Sequence, residues 1–263
     1  MLINKLCQFQ IQNLQNNVTL SSTNNRMKMK NCIIASTSTL FGGDYLDYIL
    51  PELSKHFENC KTILFIPYAQ PSGISYEEYT NKVASAFAKI NIVVKGIHEF
   101  ESPKAAIEQA EGIFTGGGNT FLLVFQLYKL KVMDALAAAI KSGTPYLGTS
   151  AGSNICGLTM QTTNDMPIIY PPSFQTLGIV PFNLNPHYLD ADLQLKHNGE
   201  TRETRIKEFH QFNTLPVLGL REGSWLEVKG DKITLKGSLS ARLFRQNKNP
   251  EELESGSDLS DLK

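Results

Sequence analysis

The sequence predicts an α/β fold, a mostly parallel sheet with helices on both faces and a C-terminal β-hairpin. Three observations predict it. Short, continuous apolar runs alternate with segments of helical spacing from residue 32 to residue 148. Two of those runs lead into glycine-rich turns, Gly116-Gly117-Gly118 and Gly148-Thr149-Ser150-Ala151-Gly152. Near the C-terminus, Gly230-Asp231 separates Trp225–Lys229 from Lys232–Lys236, the signature of a hairpin.

Taken in order, Cys32-Ile33-Ile34-Ala35 is the first expected strand and Thr62–Ile66 the second. Ile92–Val94, Gly112–Thr115 and Pro145–Gly148 follow. Their unbroken apolar character suits strands covered on both faces. Between them, Tyr76, Tyr79, Val83, Phe87 and Ile90 fall on one helical stripe. Ser102-Pro103 supplies a cap and a first-turn proline for another helix. Phe121–Tyr128 and Val132–Ile140 are helical, the second closed by Ser142-Gly143. No internal repeat is present.

The chain has 263 residues, 41% of them hydrophobic, and a formal net charge of zero. That is enough for one full core, expected over residues 30–248. With no long basic stripe, nucleic acid and anionic membranes are excluded as expected partners, and a homodimer is allowed for. No uncharged apolar run approaches the roughly 18 residues needed to cross a bilayer. Cys7, Cys32, Cys60 and Cys156 are widely spaced, which fits reduced thiols and a cytoplasmic setting. No histidine or cysteine cluster has ligand spacing, so no metal or cofactor is expected. Residues 1–30 hold ten Asn or Gln and four basic residues without an acid, and residues 1–29 are expected to be a disordered extension. Residues 250–263 carry five acids and one lysine, so 249–263 are expected to form a flexible acidic tail.

The chemistry centres on Ser150. A serine between two glycines, directly after a strand, is lifted off the sheet end with its hydroxyl exposed. To act as a nucleophile it needs a base, an orienting acid and an oxyanion site. Of five histidines, His56, His98, His197 and His210 sit where surface or structural roles suffice. His187 follows Asn185-Pro186 and is held by the proline in a defined place, so it is the expected base. Two acids compete: Asp165 in Thr162-Thr163-Asn164-Asp165-Met166-Pro167, and Glu222 in Arg221-Glu222-Gly223-Ser224-Trp225. Spacing does not choose between them. Gly116–Thr120 either cradles a phosphate, although neither standard phosphate motif is satisfied, or pairs a backbone N–H with that of Ala151 as an oxyanion hole. Arg202, read alone, is an exposed helical arginine paired with a nearby acid.

Five ordered motifs, Gly-Gly-Gly-Asn-Thr-Phe, Gly-Thr-Ser-Ala-Gly, Thr-Thr-Asn-Asp-Met-Pro-Ile, Asn-Pro-His-Tyr and Gly-Glu-Thr-Arg, together resemble the peptidase E (α-aspartyl dipeptidase) family from about Lys30 to about Ser240. The resemblance implies a class I glutamine amidotransferase-like fold and hydrolysis of short peptides that begin with aspartate. It implies Ser150 as nucleophile, His187 as base, Asp165 as third member and Gly118 and Ala151 as oxyanion donors. It also implies that Arg202 meets the substrate carboxylate, with Arg205 a weaker candidate and Glu222 near the bound substrate. The family often shows Pro-Glu-Gly-Asn-Trp where this chain has Arg221-Glu222-Gly223-Ser224-Trp225, a departure that bears on the pocket. The alternatives are a cyanophycinase-like peptidase acting on Asp-Arg units and a non-catalytic ligand-binding α/β protein.

Overall fold

Five parallel strands form the middle of the molecule: β1 (Asn31–Ala35), β2 (Thr62–Ile66), β3 (Val93–Gly96), β4 (Ile113–Thr115) and β5 (Tyr146–Thr149). They lie in the order β3-β2-β4-β5-β1 and coincide with the five apolar runs to within two residues. The expected hairpin, β8 (Ser224–Lys229) and β9 (Lys232–Gly237), joins this sheet antiparallel beside β1. The computed structural model describes residues 29–191 and 200–262. Residues 1–28 of the expected extension and His197 lie outside the described residues.

Alternate side chains of each strand enter separate cores. Cys32, Ile34, Leu64 and Ile66 pack on one face, and Ile33, Ala35, Ile63 and Phe65 on the other. Helices α1 (Leu50–His56) and α2 (Tyr76–Ala88) cover the second face through Leu53, Tyr79, Val83 and Phe87. Helices α3 (Pro103–Glu108), α4 (Thr120–Lys129) and α5 (Met133–Lys141) cover the first. Three of these helices begin at side-chain caps, of which Ser102 is the one expected from the sequence. Ser75 and Glu78 form a reciprocal capping box, while Ser102 and Asn119 each accept from the third backbone N–H beyond them.

A second, four-stranded sheet was not foreseen. It orders β11 (Glu251–Leu253), β10 (Ala241–Phe244), β7 (Val217–Leu220) and β6 (Asn183–Asn185), with β6 and β7 parallel. The sequence hides β6 because it reads Asn-Leu-Asn, with no apolar run. Both amides are buried and bonded: Asn183 receives the Thr159 N–H at 2.9 Å, and Asn185 Nδ2 donates to the Thr162 carbonyl at 2.8 Å.

The acidic end is not a flexible tail. Strand β11 pairs with β10, and residues 256–259 run along β9, with Leu259 N–H bonded to the Ile233 carbonyl at 2.8 Å. Leu259 and Leu262 are buried. Two leucines that cover an open sheet edge outweigh the solvation of the surrounding acids, several of which stay exposed.

His56 fastens α1 to the strand that leads into Ser150, with Nε2 3.1 Å from the Tyr146 carbonyl and the ring edge-on to Phe57. Burial pushes its pKa from 6.5 down to about 4, against the opposing pull of that carbonyl. The folded chain therefore holds His56 neutral at pH values where the unfolded chain is already protonated. Stability from this group is full above pH 6.5 and is lost as pH falls toward about 4. The loss is on the order of 3 kcal/mol. Urea unfolding of wild type and His56→Gln across that range should show the steeper decline in wild type; parallel curves would contradict the assignment.

Candidate active site

The five parallel strands present their C-terminal ends on one side, and the site is assembled there from two sheets. Ser150 follows β5 with φ 54° and ψ −113°, a left-handed φ that serine rarely adopts. The flanking glycines make the turn fit. A Cβ on Gly148 would come within 2.5 Å of the Gly152 carbonyl oxygen, and one on Gly152 would collide with the Thr115 carbonyl of β4. The buried Ser153 hydroxyl sits 2.6 Å and 2.8 Å from the Ala35 and Gly148 carbonyls, clamping the turn to β1. Helix α6 (Ala151–Asn154) continues from it.

The glycine loop after β4 runs directly over the serine, since a Cβ on Gly117 would lie 2.9 Å from Ser150 Cβ. Gly117 N–H donates to the buried Tyr79 hydroxyl (3.1 Å), its carbonyl accepts from Gln70 (3.0 Å), and Asn119 N–H donates to Ala69 (2.7 Å). Gly118 has φ 138°, open to glycine, and a Cβ there would strike the Ala69 carbonyl. Among the described residues, neither Gly118 N–H nor Ala151 N–H donates a hydrogen bond. Two unspent donors beside a serine hydroxyl can stabilise an oxyanion.

His187 and Glu222 arrive from the second sheet, beyond the ends of β6 and β7. Ser150 Oγ donates to His187 Nε2 at 2.8 Å, and His187 Nδ1 donates to Glu222 Oε1 at 2.7 Å. His187 also has a left-handed φ of 54°, held by its N–H bond to Ser36 Oγ at 2.9 Å. The hydroxyl of Ser36, just past β1, in turn donates to the Leu220 carbonyl at 2.7 Å.

The carboxylate at His187 is therefore Glu222, which corrects the expectation for Asp165. Asp165 lies at the start of α4, where its Oδ2 accepts from Thr120 N–H (2.7 Å), Thr120 Oγ1 (2.6 Å) and Thr163 Oγ1 (3.0 Å). Its partners fix it in the cleft wall, away from the imidazole. It shares a cleft of about 170 Å³ with Ser150, His187, Asn154 and Arg202. Arg202, at the first turn of α7 (Arg202–Phe212), is partly buried. Burial and Arg205 pull its pKa down, opposed by Asp165, and no carboxylate among the described residues lies in ion-pair range. Arg205, the weaker candidate, is exposed and sits 3.5 Å from Glu200. A larger cleft of about 380 Å³, beside Thr62 and Glu111, lies at the opposite end of β2; its lining includes Ser102 and Lys95 but no histidine.

Sequence reasoning missed Ser36, Gln70 and the holding roles of Tyr79 and Thr120. The signal for Ser36 was its place, directly after the first strand of the same sheet whose fifth strand delivers Ser150.

The sequence profile of peptidase family S51 matches residues 32–236. The chain belongs to peptidase family S51. It is an enzyme, a peptidase of the serine type. It is 47% identical over 232 residues to "Peptidase E" of Streptomyces coelicolor, covering 88% of this chain and 94% of that one. It is 42% identical to "Probable alpha-aspartyl dipeptidase" of Drosophila melanogaster, covering 89% and 97%. Two solved structures share the fold. A peptidase from an acI-B1 Actinobacterium has TM-score 0.66 at 15% identity, over 88% of this chain and 97% of that one. A putative peptidase E protein from Listeria monocytogenes has TM-score 0.61 at 21% identity, over 80% and 99%.

Within this S51 chain the two acids should separate kinetically. Glu222→Gln should lower kcat by about 100-fold or more with KM little changed, as expected when a group supports only the transition state. Asp165→Asn should act mainly on KM. Steady-state rates on one dipeptide decide it, and the reverse pattern would return the orienting role to Asp165.

Proposed function

We propose that the chain is a cytoplasmic dipeptidase that releases N-terminal aspartate from short peptides. The observation that carries the reading is the hydrogen-bonded line Ser150–His187–Glu222 opening onto a cleft that holds Arg202 and Asp165. The cleft is smaller than the roughly 300–1,000 Å³ of ordinary ligand pockets, which favours one residue over a long polypeptide. Arg202 offers a planar fork to the side-chain carboxylate of that residue. Asp165, whose Oδ2 is taken by Thr120 and Thr163, would meet the free α-ammonium through its other oxygen. Named peptidase E and aspartyl dipeptidase relatives support the same substrate. The cytoplasmic setting is supported by the unpaired buried thiols of Cys32, Cys60 and Cys156. Among the described residues no helix is long and apolar enough to cross a membrane.

In this reading Ser150 Oγ attacks the α-carbonyl carbon of the N-terminal aspartate while its proton passes to His187 Nε2. Glu222 holds the Nδ1–H tautomer and stabilises the imidazolium. The oxyanion rests on the Gly118 and Ala151 N–H groups. His187 then gives the proton to the departing amine as the C–N bond breaks, and water, deprotonated by the same imidazole, releases aspartate from the ester.

The test is hydrolysis of Asp-Leu beside Asn-Leu, Glu-Leu and Ala-Leu. Asp-Leu alone should be cleaved rapidly, and Ser150→Ala should abolish it. Arg202→Met should lower kcat/KM for Asp-Leu by about 30-fold or more, the worth of a charge-assisted hydrogen bond. Equal rates on all four peptides would overturn the aspartate pocket.

A further inference from the structure

A charged cluster behind the site connects the C-terminal strand to both catalytic side chains contributed by the second sheet. Arg221, only 15% exposed, makes two forks. Nε and Nη2 donate to Asp190 at 2.8 Å and 2.9 Å, and Nη1 and Nη2 donate to Glu252 of β11 at 2.8 Å and 3.0 Å. Nη1 also reaches the hydroxyl of Ser240 at 2.8 Å, and the guanidinium lies 5.6 Å from the centre of the Tyr188 ring. These bonds hold the carboxyls of Asp190 and Glu252 below their ordinary pKa values.

The partners are placed one residue from the chemistry. Arg221 precedes Glu222, and Tyr188 follows His187, so the guanidinium stacks on one catalytic segment while its own backbone carries the other. The Arg221 carbonyl is fixed as well, accepting from Ser224 N–H at 3.0 Å and Ser224 Oγ at 2.7 Å. Tyr188 N–H donates to Leu220 at 2.9 Å, closing the loop between the two segments. A second arginine extends the pattern: Arg242 pairs with Glu203 at 3.1 Å, next to Arg202. Ser240, Arg242 and Glu252 all lie beyond the residues 32–236 matched by the family profile.

We propose that Arg221 is a positioning residue for the His187–Glu222 pair, and that β11, through Glu252, is a working support of the active site. A two-fork guanidinium fixes direction as well as distance, which an ammonium on a flexible stem does not. Loss of either fork lets the Glu222 turn and the Tyr188 segment shift apart, lengthening the 2.7 Å bond that orients the imidazole. Where it concerns rate, the inference rests on the dipeptidase reading.

The experiment compares wild type, Arg221→Gln, Arg221→Lys and Glu252→Gln in the full chain. Each is titrated with a fluorophosphonate, so that kcat on Asp-Leu is expressed per reactive serine, and each is examined by proton NMR for the low-field His187 Nδ1–H resonance. Arg221→Gln should lose about tenfold or more in kcat per titrated site with KM within about twofold, and should lose the low-field proton. Arg221→Lys should recover only part of both, and Glu252→Gln should move both in the same direction by less. Wild-type kcat per site with the low-field proton retained in Arg221→Gln would overturn the proposal. If Arg221→Gln does not fold, Glu252→Gln decides it, because that side chain is 42% exposed and leaves the Asp190 fork intact. A wild-type chain that fails to cleave Asp-Leu would sink the dipeptidase reading, and the proton resonance would then decide the role of Arg221.

Discussion

The site depends on one hydroxyl. Ser36 Oγ accepts the N–H of His187 and donates to the carbonyl of Leu220, so a single side chain at the end of β1 docks both segments of the second sheet onto the first. His187 and Glu222 leave from the ends of two parallel neighbours, β6 and β7, while Ser150 leaves from β5. The Ser36 bridge helps hold these ends in relation at the 2.8 Å scale that proton transfer needs. Asn154 adds a second tie, its amide donating to Leu184 of β6 at 2.8 Å from the helix that begins beside Ser150.

That docking also explains why two strained backbones persist. Ser150 and His187 both take left-handed φ values of 54°, each with a cost on the order of 1–3 kcal/mol. Both are held by bonds on either side: the turn around Ser150 by the Ser153 hydroxyl, and His187 by Ser36 and by Tyr188 N–H on Leu220. The close approaches at Gly117, Gly148 and Gly152 leave no room for a side chain at any of the three. Rigid support lets the hydroxyl, the imidazole and two unspent N–H groups meet with little reorganisation during reaction.

Much of this was legible in the residues. The serine turn, the glycine run and Asn-Pro-His each combine a strand end with residues of special backbone preference, glycine's freedom or proline's restriction, and each lands in the site. The parallel sheet followed from runs such as Thr62–Ile66, whose apolar character has no polar interruption. The choice between Asp165 and Glu222 was not legible, because it turns on which strand ends are neighbours. β6 is concealed by two asparagines whose burial is balanced only by partners distant in sequence, Thr159 and Thr162 among them. The acidic tail misled because its charge is local, whereas the burial of Leu259 and Leu262 is a property of the sheet edge they meet. Arg202 carried no signal apart from the family resemblance, since its isolation from carboxylates among the described residues is a matter of three-dimensional surroundings.

The central claim is that Ser150 carries the substrate acyl group during turnover. The most direct measurement is to stop Asp-Leu hydrolysis in acid within the first turnovers and map the protein by mass spectrometry. The account predicts an aspartyl ester on the peptide containing Ser150, formed in wild type and absent from Ser150→Ala. Hydrolysis that proceeds with no acyl adduct, or with an adduct on a different residue, would contradict it.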